Sequence, residues 1–320
     1  MPATSLQRLP VGCRSRPATT ADVTAVHRLV TACEVDLHGR ATTGADRVAA
    51  DLGALGTDAK SDAVLVYASG GEMTASGGVA ASGGEVAGWG WVRGRRAAVH
   101  VHPGQRGRGL GGLLLAWTEE RARQWGGDRL AQTVPDEDHA AVALLESGGY
   151  ARLVTEWLLA IATATEPHVS DPPAGITVRA FRAGDEQSAY RLTEDAFDEW
   201  QQRRKSYAEW ARHTVERPTF APAASTVALA DEQLVGAVLS LDIPGDDEGY
   251  VERVAVRRDF RNRGIARVLL QESFRAFHRQ GKRGCTLWTH SDTGALPLYE
   301  RIGMTVRRTS TVYSKTLTAG

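Results

Sequence analysis

Two stretches of the chain repeat the same pattern of a strand end, a glycine-rich loop and a helix start. The first reads Val101-His-Pro-Gly-Gln-Arg-Gly-Arg-Gly-Leu-Gly111, and the second, 155 residues later, reads Val256-Arg-Arg-Asp-Phe-Arg-Asn-Arg-Gly-Ile-Ala266. Such a loop presents unpaired backbone N–H groups at the positive end of a helix, which suits a phosphate or pyrophosphate. One copy alone could be an ordinary helix N-terminus with solvated arginines, and the matched second copy argues against that interpretation.

Other blocks repeat in the same order. Residues 12–22 parallel residues 175–185 at an offset of 163, and residues 145–150 parallel residues 299–304 at an offset of 154. Three blocks at nearly one offset indicate two copies of one domain. The sequence therefore predicts an N-terminal domain over residues 11–163, a proline-containing linker over 164–174 and a C-terminal domain over 175–320.

Each copy alternates strand and helix patterns, which predicts an α/β fold. In the second copy we expect helices over 185–200, 264–280 and 292–301, and strands over 226–230, 234–240, 250–256 and 284–288, with a final strand pair over 304–317. In the first copy the matching segments are 97–102, 109–125, 130–134 and 139–147.

Composition narrows the class of protein. The chain of 320 residues carries 38 basic and 38 acidic residues and is 42% hydrophobic, which is ordinary for a globular protein and gives no global field for nucleic acid or membrane. No apolar run approaches the ~20 residues that span a bilayer. Its three cysteines form no CxxC pair, and a cytoplasmic location is expected.

Two other phosphate-binding motifs have glycine-rich loops of this kind. Gly107, Gly109 and Gly112 satisfy the GxGxxG pattern of Rossmann folds, and Asp128 follows at about the sequence separation of a ribose-binding acid. The second copy cannot satisfy this pattern. A Walker loop is excluded because no GK[ST] follows either set of glycines.

Both loops fit the R/Q-x-x-G-x-G/A signature of the GNAT acyltransferase superfamily, as Arg106-x-x-Gly109-x-Gly111 and Arg261-x-x-Gly264-x-Ala266. The stretch over residues 294–304 is similar to a late helix of that family. The chain thus resembles two tandem GNAT domains. The resemblance implies a mixed, mostly antiparallel sheet flanked by helices in each domain, with acetyl-CoA as cosubstrate and no metal.

The resemblance also implies which residues bind acetyl-CoA. Loop amides would hold the pyrophosphate, and the pantetheine would lie between splayed fourth and fifth strands. In the second half these residues are Val254, Ala255, Val256, Arg261, Asn262, Arg263, Gly264, Ile265, Ala266 and Ser291. In the first half they are Val99, Val101, Arg106, Gly107, Arg108, Gly109, Leu110 and Gly111.

The catalytic residues implied by the family distinguish the two halves. Tyr299 matches the family's acid for the leaving thiolate, where the first half has Leu145. Glu252 lies four residues before Val256, so a period of two predicts that both lie on one strand face, with Glu252 as the base for the amine. The offset gives Ala97 as its counterpart. Tyr299 could instead be a packed aromatic, and Glu252 a solvated strand residue.

These features predict that the C-terminal domain transfers an acetyl group to a primary amine of a small molecule by direct attack in a ternary complex. The N-terminal domain is predicted to be catalytically degenerate. Alternatives are mycothiol synthase activity, protein lysine acetylation, and a non-catalytic acyl-CoA-binding protein. Phe197 and Trp200 are weak candidates for acceptor contact, and His100 with His102 for a metal. A monomer or homodimer is expected, with no nucleic-acid or membrane partner.

Overall fold

The computed structural model describes Leu6 and residues 9–41, 43–53, 63–68, 85–198 and 203–317. The chain divides into two compact units. The first unit contains Met1–Thr155 and Ser310–Gly320, and the second contains Glu156–Thr309. These ranges differ from the contiguous domains expected from the sequence, because each unit takes a strand from the other half of the chain.

The first unit has a mixed sheet in the order β1-β2-β3-β4-β5-β12. Among the described strands of this unit, only β4 and β5 pair in parallel. Its strands are β1 Cys13–Pro17, β2 Ala63–Ala68, β3 Val86–Arg93, β4 Arg96–Val101, β5 Arg129–Pro135 and part of β12 Thr305–Thr316. Its described helices are α1 Val23–His38, α2 Ala45–Gly53, α3 Leu110–Gln124 and α4 His139–Ser147.

The second unit repeats this arrangement in the order β6-β11-β10-β9-β8-β7. Again one neighbouring pair, β10 with β11, is parallel. Its strands are part of β6 Ala151–Ala162, then β7 Thr177–Ala180, β8 Thr226–Ala230, β9 Gln233–Leu241, β10 Glu248–Val256 and β11 Gly284–His290. Its described helices are α5 Glu186–Phe197, α6 Tyr207–Arg212, α7 Ile265–Arg279 and α8 Leu296–Arg301.

The strand exchange between the halves completes both sheets. Residues Ser310 to Thr316 pair antiparallel with β5 in the first unit. Residues Glu156 to Ala162 pair antiparallel with β11 in the second. The expected strand pair over 304–317 is wrong, because this segment is one continuous strand of 12 residues.

The helix after each loop lies unusually close to the sheet because a glycine faces it. A Cβ added to Gly236 on β9 would lie 2.9 Å from Leu269 and 3.0 Å from Ile265 of α7. In the first unit a Cβ added to Gly88 on β3 would lie 2.9 Å from Leu114 of α3. A side chain at either position would force these leucine and isoleucine side chains to shift, so glycine favours the close approach. The α/β class predicted from the sequence is confirmed, with a mostly antiparallel sheet in each unit.

Candidate active site

The two glycine loops have the same backbone conformation. Each begins with an arginine in extended backbone, at φ −65° and ψ 162° for Arg106 and at φ −65° and ψ 160° for Arg261. Each ends with a left-handed glycine that caps the helix, at φ 81° for Gly109 and φ 83° for Gly264. The capping positions favour glycine because a side chain is strained at such angles. The sequence repeat is therefore also a repeat of local geometry.

The middle of each loop holds a second left-handed residue. Gly107 has φ 75° in the first loop, and Asn262, an amino acid that tolerates this region, has φ 63° in the second. Two left-handed turns in succession bring backbone N–H groups toward one side, which forms an anion-binding concavity at the helix start. Leu110 and Ile265 are the first residues of these helices, and their side chains are buried in the core. They therefore contribute to the concavity through their backbone N–H groups.

The arginines of the second loop are exposed and held by local contacts. Arg261 donates from Nε to the carbonyl oxygen of Val256 at 3.2 Å. Arg263 donates to the carbonyl of Asp259 at 2.9 Å, and its guanidinium lies 4.8 Å from the ring centroid of Phe260. Neither has an ion pair within the described residues, so both remain available to an anion at the loop.

Beside this loop, β10 and β11 separate. Their parallel ladder runs from Glu248 opposite Gly284 to Val251 opposite Leu287 and then stops. Beyond that point β10 continues along β9 and β11 continues along β6. The opening between them therefore exposes the facing edges of both strands, as the splayed fourth and fifth strands of the prediction require.

The register of β10 decides which amides face this opening. Arg257 donates its N–H to the carbonyl of Val235, so this is a hydrogen-bonded pair. Such pairs alternate along an antiparallel ladder, so the amide of Ala255 faces β9 and the amides of Val254 and Val256 face the opening. The structure thus places Val254 and Val256 at the candidate site, whereas Ala255 pairs with β9 and has a buried side chain.

Glu252 occupies a β-bulge at the point where the strands separate. Val251 lies opposite Ser240 and Arg253 opposite Leu239, so Glu252 is an extra residue in β10. The expectation that Glu252 and Val256 share a strand face is wrong, because the inserted residue shifts the alternation. Val256 packs with the apolar cluster under α7. On the other face, Glu252 Oε2 accepts a hydrogen bond from Arg217 Nη1 at 3.0 Å.

Tyr299 lies on α8 in the same apolar cluster as the side chains of Val254 and Val256. It is 6% exposed, and burial raises the pKa of its hydroxyl to about 12. Within the described part of the chain the hydroxyl makes no hydrogen bond. Tyr299 and Glu252 therefore stand on opposite faces of β10, each near the residues that line the opening.

The remaining candidates of the second half are more peripheral. Ser291 begins a short 3-10 turn after β11 and donates to Asp292 at 3.2 Å. Phe197 ends α5, and the guanidinium of Arg253 lies 5.7 Å from its ring centroid. Trp200 lies outside the described residues. Sequence reasoning did not select Arg217 or Arg253, although an arginine inside an apolar strand was a visible signal for Arg253.

A cleft of about 690 Å³ adjoins the loop on the α5 side. Val256 and Arg261 line it, together with Leu192 and Ala196 of α5. Its lining includes four arginines, namely Arg191, Arg257, Arg258 and Arg261, and three acidic residues, namely Asp195, Asp198 and Glu232. Arg261 lies at the loop itself, where a guanidinium next to the amides of the helix start is suited to a phosphate-bearing ligand.

Comparison with known proteins agrees with this geometry. The acetyltransferase (GNAT) family model matches residues 56–150 and 187–304, once in each half. The chain belongs to the GNAT acetyltransferase family. It is an acyltransferase of that family, whose members use acetyl-CoA.

Proteins similar to this GNAT chain are named as acetyltransferases. It is 29% identical over 220 residues to a protein of Cellulomonas flavigena named mycothiol acetyltransferase, an alignment that covers 65% of this chain and just 63% of that protein. A protein of the same name from Geodermatophilus obscurus is 32% identical over 219 residues, covering 65% and 70%. The solved GCN5-related N-acetyltransferase of Sphaerobacter thermophilus is 29% identical, with a TM-score of 0.80 and 98% coverage of both chains.

A solved tandem GNAT protein from the clavulanic acid biosynthesis pathway is 19% identical, with a TM-score of 0.73 and coverage of 96% and 99%. That likeness concerns the fold alone. It agrees with the tandem arrangement of GNAT units read from the sequence.

The first GNAT unit has the same opening but different surroundings. β4 and β5 pair only at Arg96 opposite Ala131, and the N–H of His102 bonds to Ala87, so the amides of Val99 and Val101 face β5. The carbonyl of Val101 accepts a hydrogen bond from the Cys33 thiol of α1 at 3.4 Å, and burial raises the pKa of that thiol to about 11.

Other side chains of the first GNAT unit are occupied as well. Arg106 pairs with Asp36 of α1 at 2.6 Å. Arg108 donates to Gln105 and to the carbonyl of Val11. Gly111 has a packing role, because an added Cβ would lie 3.0 Å from Leu144 of α4. Across the opening, His38 of α1 contacts Glu137 after β5 at 3.1 Å.

The catalytic candidates have no equivalent in the first GNAT unit. Leu145 is buried at the position of Tyr299. Ala97 was expected to match Glu252, but β4 pairs with β3 without a bulge, so the register aligns Ala97 with Val251 instead. Glu252 is therefore an insertion, and the first unit has no residue at its place.

Two further features of the described residues bear on ligands and membranes. They contain no group of three or more His, Cys, Asp and Glu side chains arranged to hold a metal ion. His100 stacks on Trp89 with centroids 5.4 Å apart, and burial lowers its pKa. None of the described helices is long and apolar enough to cross a membrane.

Proposed function

We propose that the second unit transfers an acetyl group from acetyl-CoA to a primary amine of a small molecule, by direct attack within a ternary complex. The observation that carries this proposal is the bulge at Glu252. It places a carboxylate where β10 and β11 separate, and the first unit has no such residue in β4. A carboxylate inserted at this position is positioned to receive the proton of an attacking amine.

The chain's own groups fit acetyl-CoA. The amides of the first turn of α7 and the exposed Arg261 and Arg263 would bind the pyrophosphate. The opening beside Val254 and Val256 offers backbone N–H and C=O groups to the amides of pantetheine. The N–H of Val256 would donate a hydrogen bond to the thioester oxygen as negative charge develops on it.

Glu252 and Tyr299 would handle the protons. Arg217 holds one carboxylate oxygen of Glu252, which fixes the side chain while the other oxygen can receive the amine or its proton through water. Tyr299 would donate to the leaving thiolate. Because its pKa is about 12 and that of a thiol is about 8.5, Tyr299 stays protonated and stabilises the thiolate chiefly by a hydrogen bond.

The first unit is proposed to be catalytically degenerate. Its loop keeps the backbone shape of an anion site. However, Arg106 forms an ion pair with Asp36, and the Cys33 thiol donates a hydrogen bond to the carbonyl oxygen of Val101. Leu145 cannot donate a proton. These contacts indicate that the first unit has a structural role and does not catalyse acetyl transfer.

The names of the relatives favour one more specific function, mycothiol synthase activity. With identities near 30%, and with 63% of the Cellulomonas protein covered, that activity remains a second candidate. Acetylation of protein lysines is a further alternative. The three cysteines are free and separate in the structure, which supports a reducing cytoplasm as the location.

One experiment tests the proposed function. Thiol release from acetyl-CoA is measured with a panel of small primary amines, with a cysteinyl aminoglycoside acceptor of the mycothiol type and with a lysine peptide. Amine-dependent release with a small amine supports the proposal. Release with the mycothiol-type acceptor alone favours the second candidate, and release with the peptide alone favours the third.

A further inference from the structure

An unbalanced positive charge lies beside Glu252. Glu252 is already paired with Arg217, at 3.0 Å between Oε2 and Nη1. The next residue, Arg253, has neither an ion pair nor a hydrogen bond to its side chain among the described residues, and its Nε is buried without a partner. Arg217 therefore takes the carboxylate of Glu252, and Arg253 is left without an ion pair in the part of the chain that the structure describes.

The guanidinium of Arg253 is held in place by an aromatic ring. Its Cζ lies 5.7 Å from the ring centroid of Phe197 at the end of α5. Such a contact orients the planar group and leaves its N–H edge for hydrogen bonding. Arg253 and Glu252 therefore both extend to the face of β10 that carries α5 and the segment after α6, opposite the apolar cluster under α7.

The first unit shows that the strand itself does not require this arginine. The register aligns Arg253, opposite Leu239, with Ala98, opposite Trp91. The same strand thus forms with alanine at this position. The unit with the candidate base carries the arginine, and the unit without the base lacks it, so the two side chains occur together.

Arg253 is half-buried, and a buried Nε without a hydrogen-bond partner is costly, which makes this guanidinium a candidate for binding a ligand. We infer that Arg253 binds an oxyanion of the acceptor, a carboxylate or a phosphate, while the acceptor's amine lies at Glu252. The inference rests on the proposed function and narrows its substrate class. The acceptor is an amine that also carries an acidic group, because Glu252 and Arg253 are adjacent residues that extend to the same face of β10. The fork of arginine N–H groups matches either oxyanion in a bidentate manner.

The test uses matched pairs of acceptors in the full-length enzyme. Glycine is compared with glycinamide, β-alanine with β-alaninamide, and O-phosphoethanolamine with ethanolamine. Wild type, Arg253→Gln and Arg253→Lys are assayed for thiol release. Arg279→Gln is the control, since Arg279 is exposed and pairs with Glu166. The intrinsic reactivity of each amine is the same for every enzyme, so the change in the ratio within a pair isolates the side chain.

We expect Arg253→Gln to lower kcat/KM at least tenfold for the anionic member of a pair and less than threefold for the neutral member. The KM for acetyl-CoA should not change, Arg253→Lys should restore part of the preference, and Arg279→Gln should shift neither member by more than twofold. The carboxylate and phosphate pairs show which oxyanion is preferred.

Equal losses for both members in a folded Arg253→Gln protein would show that Arg253 acts only by packing on Phe197, and the inference would be overturned. The same holds if wild type turns over neutral amines as well as their anionic partners. If wild type releases thiol with none of the amines, the proposed function itself fails. The rate of the wild type with neutral amines thus separates the two failures.

Discussion

The two glycine loops are alike in backbone and unlike in what surrounds them. Gly109 and Gly264 differ by 2° in φ, and the arginines that open the loops have the same φ. Around the first loop, α1 supplies Asp36 and Cys33 to the positions that a ligand would use. Around the second, the arginines are exposed and a cleft adjoins them. A shared anion-binding loop therefore does not make two equivalent sites.

The two units also differ by one inserted residue, Glu252, in the strand before the loop. The bulge at Glu252 places a carboxylate at the strand opening and an arginine after it, whereas β4 has Ala97 and Ala98 in regular register. Bulges near active sites re-aim side chains in this way. The difference between the units is thus one of pairing geometry as much as of composition.

The largest expected effect comes from filling each loop in turn. Gly264→Glu should lower turnover by at least about 10³-fold, because the new carboxylate enters the proposed pyrophosphate space and repels phosphate. Gly109→Glu should keep turnover within about threefold, because the first unit is proposed to be catalytically degenerate. It is a matched control, since the two glycines have φ 81° and 83° and a side chain is strained equally at both. Steady-state rates and thermal melts of both variants decide this. The reverse outcome in folded proteins would move the active site to the first unit.

The next effect concerns the inserted base. Glu252→Gln should lower kcat by about 10³-fold with little change in the KM for acetyl-CoA, because it removes the proton acceptor but keeps the size of the side chain. The first unit has no residue at this place, so Arg279→Gln, an exposed residue paired with Glu166, serves as the control and should keep the wild-type rate. A Glu252→Gln enzyme with the wild-type rate would make Glu252 only the ion-pair partner of Arg217.

A smaller loss is expected for the acid. Tyr299→Phe should lower kcat by about 10²-fold, because the hydroxyl no longer stabilises the thiolate. Since the pKa of Tyr299 is raised to about 12, the group stays protonated from pH 7 to 10, and its loss of activity should begin only as the pH rises toward 12. A basic limb near pH 10 that disappears in Tyr299→Phe would contradict the buried, protonated tyrosine.

The smallest effect should be equal in the two units. Arg16 pairs with Asp22, and Arg179 with Asp185, and these hydrogen bonds lower the pKa of both carboxyl groups. Asp22→Asn and Asp185→Asn should each cost about 1–3 kcal/mol of unfolding free energy at pH 7, with little change in kcat.

The pH dependence of these two variants follows from the direction of the shift. A lowered folded pKa means that the stabilisation is present above the unfolded value of about 3.9 and is lost as the pH falls through the folded pKa. The difference between wild type and variants should therefore vanish in strong acid. Chemical denaturation at pH 7 and below pH 3 checks this, and a difference that grows in acid would contradict it.

Local patterns allowed much of the fold to be predicted. The α4 helix occurs at the expected residues 139–147, and the predicted helix over 264–280 is Ile265–Arg279. The strands expected over 226–230 and 234–240 are β8 and β9, and the turn between them uses Asp231 and Glu232 at positive φ. The repeat also correctly indicated two GNAT regions.

The features that were missed depend on pairing between distant segments. The bulge at Glu252 depends on how β10 aligns with β9. A prediction from the alternation of side chains along one strand assumes that no residue is inserted, so it could not find the bulge. The strand exchange was missed because the partner of Ser310–Thr316 is β5, some 180 residues earlier. The contacts of Cys33 and Asp36 with the first loop likewise join α1 to residues about 70 positions away.

The central claim is that acetyl transfer takes place in the second unit and requires Glu252 and Tyr299. The most direct test is the single-turnover rate of Glu252→Gln/Tyr299→Phe, with enzyme in excess over acetyl-CoA and a saturating amine. Both substitutions leave the first unit and both loops intact. The account predicts a rate at least about 10³-fold below wild type, because residues that act as a unit are not replaced by the rest of the site. A rate within tenfold of wild type in a folded protein would contradict it and place the chemistry elsewhere in the chain.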